Sequence, residues 1–356
     1  MANWFEDTFG FPEPTEYAAA RARFRVEGEG DDAVLLSQAP SGKKRLFHLG
    51  MFEMPSVSEL RSRLANSSGS APSGERGVSF SHASGDVRVL HRNPAYAGTV
   101  FQAASQFNCL EMVGPNVRPE DGVTRYWMDR TQGPICAMAC PAATVFRNYL
   151  VDGTGQAGAG QLDLLRGVGR VLGNHSDNGG APRYWTMENG YCAPRSPTSM
   201  AELNAAAETS ADPAALREAA IGALQVGVHW STEVTLQRGE SHRVCQVFSS
   251  ALPLAYYKSV RSIDWEPLAK IVLDATYEAT FAAAALLARR RAARVSLVLT
   301  KVGGGAFGNR TQWIVDSIAR AVGIFREHPL DVTLLHYGHE ESAYVKALKP
   351  FKAAEN

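Results

Sequence analysis

Hydrophobic positions in the second half of the chain alternate between β-branched runs and a helical spacing of three to four residues. Residues 225–230 and 243–250 read as strands, with 232–236 as a partner for the first. Asp212 followed by Pro213 is an N-cap with proline in the first turn, so a helix is predicted from there to about Leu224. A long helix follows from Asp264 to about Arg291. The run from Val295 to Thr300 is a buried strand, and Ile314, Ile318, Ala321, Val322 and Phe325 share one face of the next helix. Residues 330–336 form the last strand. Strands alternating with helices predict an α/β fold, a three-layer α/β/α sandwich with a mixed sheet and a ligand at the carboxyl ends of its strands.

The first half is less regular. Residues 98–104 read as a strand, and 86–91, where apolar and polar positions alternate, as another. Residues 134–150 are a buried small-residue helix with a kink or break at Pro141. Ser56 and Glu59 form a capping box that opens a short helix to Leu64. A helical stretch from Tyr17 to Arg23 and strands near 33–36 and 45–49 precede it. Residues 65–77, rich in Ser, Gly and Pro, read as a linker. The predicted organisation is an N-terminal extension and linker over 1–77 and a main domain over 78–356. An insertion is placed near 151–200, where Gly, Asn and Pro concentrate.

Composition narrows the class. With 36 basic and 36 acidic residues, nothing favours binding nucleic acid through bulk charge. Five cysteines without a repeated spacing argue against a disulfide framework and for a reducing compartment. Cys136 and Cys140, four apart, share one helical face as small buried residues. The polar N-terminus carries no signal sequence, and residues 279–288, the longest apolar stretch, are too short to span a bilayer. A cytoplasmic protein with no membrane partner is expected. Arg289, Arg290, Arg291 and Arg294 lie at a predicted helix end, where cations complement the dipole. His336 and His339 have no Cys or carboxylate set at ligand spacing, so no metal is expected, and they read as a solvated strand end.

The candidate chemistry lies in two segments. Gly303, Gly304, Gly305, Ala306, Phe307, Gly308 and Asn309 stand between a strand and a helix. Glycines let a backbone approach a ligand closely, and the helix that follows offers unpaired N–H groups, so the loop suits a phosphate. It matches neither the P-loop nor the G-x-G-x-x-G fingerprint. The second segment is Ala103-Ala-Ser-Gln-Phe-Asn108, a small-residue strand end, followed by a polar loop from Pro119 to Pro134.

Together these segments resemble the two phosphate-binding loops of macrodomains, the ADP-ribose-binding module, and are similar to the MavL-like branch of macrodomain ADP-ribosylhydrolases. The resemblance covers about residues 80 to 340. The usual first-loop Gly-Gly-Gly is replaced by Gly114-Pro115 and Gly122, and the double-glutamate signature of the glycohydrolases of ADP-ribose polymers is not present. The resemblance implies a macrodomain-like catalytic domain that removes ADP-ribose from modified protein side chains. It points to arginine, with ubiquitin among the carriers and no cofactor. The alternative is a reader that binds ADP-ribose without cleaving it.

Hydrolysing such a glycosidic bond needs a held diphosphate, an aimed water and carboxylates to stabilise the oxocarbenium-like sugar. By the resemblance, Asp121 and Asp129 are the expected catalytic residues, eight apart in a loop that can fold them into one cleft, with Glu120 beside them; the alternative is that they are surface carboxylates of the loop. Asn108 is assigned either to the distal ribose or to capping its own turn. Gln106 and Ser105 are candidates for the same place, and Thr131 and Gln132 flank the loop acids. Tyr126 and Trp127 either wall the cleft or pack in the core. The glycine loop cradles the diphosphate, with Phe307 over ribose or adenine. Ser249, Ser250 and Ala251 line the adenine side, and Tyr337 stacks on the base.

Overall fold

A computed structural model describes residues 3–67, 77–175, 180–235 and 241–351. Its strands are β1 (Phe24–Glu27), β2 (Val34–Gln38), β3 (Lys44–His48), β4 (Met51–Glu53), β5 (Val78–Ser84), β6 (Val100–Ala104), β7 (Trp185–Glu188), β8 (Tyr191–Pro194), β9 (Gly227–Val234), β10 (His242–Ser249), β11 (Val295–Leu299) and β12 (Leu330–His336). Seven build a central sheet in the order β4-β9-β10-β6-β11-β12-β5. Strands β10, β6, β11, β12 and β5 run parallel, while β9 is antiparallel to both β10 and β4. This is the expected mixed sheet.

Side-chain alternation shows that both faces are covered. On β10, Gln246 donates to the Cys136 carbonyl (2.8 Å) in the Gln132–Ala139 helix. Three residues on, and so on the opposite face, Ser249 Oγ lies 3.5 Å from Thr280 Oγ1 in the Ser262–Arg291 helix. That long helix is long and apolar enough by composition to cross a membrane, yet its apolar window is wholly buried inside the fold. Its buried acids are paired: Glu278 accepts from Arg61 and Arg320, and Asp274 from Ser317 and Arg217. The Thr311–Phe325 helix buries all five residues of its predicted face.

The N-terminal residues are woven into this body. Strand β4 forms one edge of the central sheet, and the Val57–Asn66 helix starts with the expected capping box. Phe5 and Phe9 pack edge to face against Phe24 of β1 and Phe47 of β3, on one face of the small sheet of β1 to β3. Most of the predicted linker, residues 68–76, lies outside the described residues. All five cysteines are buried free thiols. The arginines at the long helix's end do more than face a dipole: Arg290 lies over the Trp230 ring and Arg291 donates to the Gly98 carbonyl (2.7 Å).

Three local expectations are corrected. Residues 86–91 are not a strand: Asp86 accepts from the Arg88 N–H (2.8 Å) and caps a Val87–Arg92 helix, whose buried positions Val87 and His91 are four apart. Residues 232–234 belong to β9 itself, which bends at Ser231 (φ 57°) instead of turning back. His336 is no solvated strand end. It is fully buried against the His82 and Tyr344 rings, and its Nε2 sits 3.0 Å from His82 Nδ1.

His91 yields a pH prediction. Fully buried against Phe101 (ring centroids 3.9 Å), it is pushed down to about 4 by desolvation. The folded state keeps it neutral while the unfolded chain takes up a proton below about pH 6.5, so stability falls as pH drops from there to about 4. The His91 share of the loss should reach about 3 kcal/mol, and His91→Gln, still able to bond the Val87 carbonyl, should remove that share in urea titrations at pH 7 and pH 4.5. Equal pH dependence in both proteins would refute this.

Candidate functional site

The carboxyl ends of β6, β11 and β12 open into a cleft of about 480 Å³. Its walls include Ala104 at the end of β6 and Gln106 beyond it, Asp129 to Gly133 from the polar loop, Thr300 to Phe307 after β11, and Tyr337 and Glu341 after β12. The two predicted loops therefore meet, although more than 190 residues separate Gln106 from Gly303.

The glycine loop is shaped by its own hydrogen bonds. The Lys301 carbonyl accepts from the Gly304 N–H (2.9 Å), and the Gly303 carbonyl from the Asn309 N–H (2.9 Å). Gly303 has φ +78°, and a Cβ there would lie 2.6 Å from the Ala251 Cβ, so the position requires glycine. The N–H groups of Gly305, Ala306 and Phe307 donate to nothing among the described residues, which leaves them available at the cleft. Gly308 packs against Ala255 behind the loop. Asn309, 6% exposed, is spent on structure, its Nδ2 donating to the carbonyls of Leu252 (2.8 Å) and Gly303 (3.3 Å).

The segment after β6 is a tightly braced turn. Asn108 is fully buried; its Oδ1 accepts from the Leu110 N–H (3.1 Å) and its Nδ2 donates to Gln161 (3.0 Å). This turn carries Cys109 at φ 61°. Asn108 thus follows the capping assignment and does not line the cleft. Gln106 does line it, but its amide is locked onto Met112, accepting from the N–H (2.8 Å) and donating to the carbonyl (3.2 Å). Arg147, fully buried over Phe248, donates to the Cys109 carbonyl (2.9 Å).

The product of this bracing is Glu111, a residue the sequence reading passed over. It lines the cleft at 3% exposure, its N–H donates to the Tyr126 hydroxyl (2.9 Å), and its buried Oε1 has no partner. Burial pushes its carboxyl well above the usual range; Asp129 raises it further and Arg147 pulls it down. A Cβ on Gly133 would lie 2.5 Å from Glu111 Oε2 and 2.1 Å from the Ala104 carbonyl, so this glycine makes room for the carboxyl.

The polar loop divides its acids. Asp129 lines the cleft, with Oδ1 accepting from the Thr131 N–H (2.8 Å), and Thr131 and Gln132 line it too. Asp121 does not. Its Oδ2 accepts from the Arg118 N–H (2.8 Å), closing a single 3₁₀ turn over Pro119–Asp121. Glu120 accepts from the Gly158 N–H (2.7 Å) and also lies outside the lining. Glu13 braces this loop from the N-terminal segment, accepting from the N–H groups of Val123 (2.9 Å) and Thr124 (2.7 Å). Tyr126 is buried behind Glu111, whereas Trp127 is 40% exposed away from the cleft.

Tyr191, Tyr256 and Phe307 form an aromatic wall with ring centroids 5.4 to 5.8 Å apart, and the Tyr191 hydroxyl donates to the Met112 carbonyl (3.0 Å) beside Glu111. Tyr191 comes from the β7–β8 hairpin within the predicted insertion, and Gly190 beside it accepts from the Phe107 N–H (2.9 Å). Ala251 lines this part of the cleft, while Ser250 is buried just outside it with its hydroxyl turned to the Ala251 carbonyl (3.2 Å). Tyr337 stands 60% exposed at the mouth.

No family model matches the chain, and no curated protein does. Among solved structures, it is similar to poly(ADP-ribose) glycohydrolase from Thermomonospora curvata: TM-score 0.45, 14% identity, 89% of this chain and 93% of that one covered. The same enzyme bound to the inhibitor ADP-HPD gives a TM-score of 0.44 at 13% identity, covering 88% and 92%. Poly(ADP-ribose) glycohydrolase from Deinococcus radiodurans in complex with ADP-ribose gives 0.42 at 9% identity, covering 84% and 94%.

Proposed function

We propose that this protein is an ADP-ribosyl hydrolase that cleaves the glycosidic bond at the distal ribose of ADP-ribose attached to a macromolecule. One observation carries the reading: a buried carboxyl without a partner for its Oε1, Glu111, whose burial favours the neutral form, lines the same cleft as a glycine loop with open amides. The amides of Gly305 to Phe307 hold the diphosphate, and the aromatic wall takes the base. A water attacks the anomeric carbon while the bond to the leaving atom breaks. Glu111 donates its proton to that atom, and Asp129 takes the proton of the attacking water. A reader needs the cradle but no buried acid, so Glu111 favours an enzyme.

Arginine-linked ADP-ribose, with ubiquitin among the carriers, is the substrate that the sequence resemblance implies, and Asp129 is suited to holding a guanidinium. A carboxyl pushed toward its neutral form by burial, Glu111, favours a second substrate, the O-glycosidic bond of ADP-ribose polymers, whose leaving oxygen needs a proton. Release of free ADP-ribose from arginine-modified ubiquitin and from polymer distinguishes the two. ADP-ribose binding without release from either would make the protein a reader. The two loop aspartates should separate: Asp129→Asn lowers kcat by about 10- to 100-fold, and Asp121→Ala, outside the cleft, by less than about twofold. The reverse order would place catalysis on the Asp121 side of the loop.

A further inference from the structure

The cleft wall holds an ion pair with no part in the chemistry above. Lys301 Nζ contacts the Glu341 carboxylate, and both residues line the cleft. Lys301 opens the glycine loop, since its carbonyl closes the turn to Gly304, and its side chain is 17% exposed. The Tyr344 ring lies 5.5 Å from its ammonium. Glu341 is fixed from behind, its N–H donating to His336 Nδ1 (3.2 Å), but its side chain is 44% exposed. A half-exposed pair of this kind is weak, whereas a lysine beside open amides in a partly desolvated cleft is strongly attracted to a diphosphate.

We propose that Lys301 is a specificity-determining anchor for the anionic part of the ligand, and that Glu341 competes with the ligand for it. Binding exchanges one partner for another: the ammonium leaves the carboxylate for a phosphate oxygen, and Glu341 turns to solvent. This rests on the cleft holding ADP-ribose, and calorimetry with free ADP-ribose, with adenosine as the uncharged probe, tests both. Lys301→Met should weaken ADP-ribose about tenfold and leave adenosine within about twofold. Glu341→Gln, at an exposed position that leaves folding intact, should tighten ADP-ribose about threefold, a gain that vanishes when Lys301→Met is also present. No ADP-ribose binding by the unaltered protein overturns the functional reading and the anchor with it. Binding that neither substitution changes, or that Glu341→Gln weakens, overturns the anchor alone.

Discussion

Replacing Glu111 with glutamine should lower turnover by about 10²- to 10⁴-fold while leaving the fold intact and ADP-ribose binding nearly unchanged. The carboxyl is buried and its burial favours the neutral form, so a neutral side chain of the same shape keeps its packing and loses only the transferable proton. The same substitution should raise stability at alkaline pH. Above about pH 4.3 the unfolded chain ionises this acid while the folded protein keeps it neutral. Folding therefore weakens as pH rises, until the folded group itself ionises. Glu111→Gln removes that slope, so its melting temperature should exceed that of the unaltered protein at pH 8 and match it near pH 4. Lost turnover with gained stability is the signature of a residue kept for chemistry. Full activity in the variant would sink the acid assignment.

Glu111 was missed for a physical reason, and the reason shows what the sequence could carry. Elements with a clear apolar spacing were legible: the Thr311–Phe325 helix and strand β12 appear where the spacing puts them. Strand β5 was not, because it is a sheet edge whose Ser79, Ser81 and His82 interrupt the apolar run. The two loops were recognisable by composition, but which acid enters the cleft depends on backbone turns. Asp121 and Asp129 looked equivalent, yet a 3₁₀ turn at Pro119 spends Asp121 on the Arg118 N–H. Glu111 reaches the cleft only through the left-handed Cys109, held by Asn108 and Arg147, which are far apart in sequence. The available signal was a lone carboxylate inside the apolar stretch Cys109-Leu110-Glu111-Met112-Val113, where an acid has no structural reason to be buried.

Gly305→Asp should weaken ADP-ribose binding by about 30-fold without lowering the melting temperature. A Cβ at this position meets nothing within 4 Å, so the side chain enters open space in the cleft and strains no neighbour. Its carboxylate then opposes the diphosphate beside the free amides. At roughly 6 Å and an effective dielectric of about 20 to 40, that repulsion costs about 2 kcal/mol, which is the 30-fold loss. Gly303→Ala, two residues away, should behave in the opposite way. Its backbone is left-handed and its Cβ would lie 2.6 Å from the Ala251 Cβ, so the cost falls on the fold, about 1 to 3 kcal/mol by denaturation. Gly305→Ala, small and uncharged, should change neither quantity by much. If Gly305→Asp binds ADP-ribose as tightly as Gly305→Ala, the diphosphate does not sit on this loop, and the glycines serve only the turn into the Thr311–Phe325 helix.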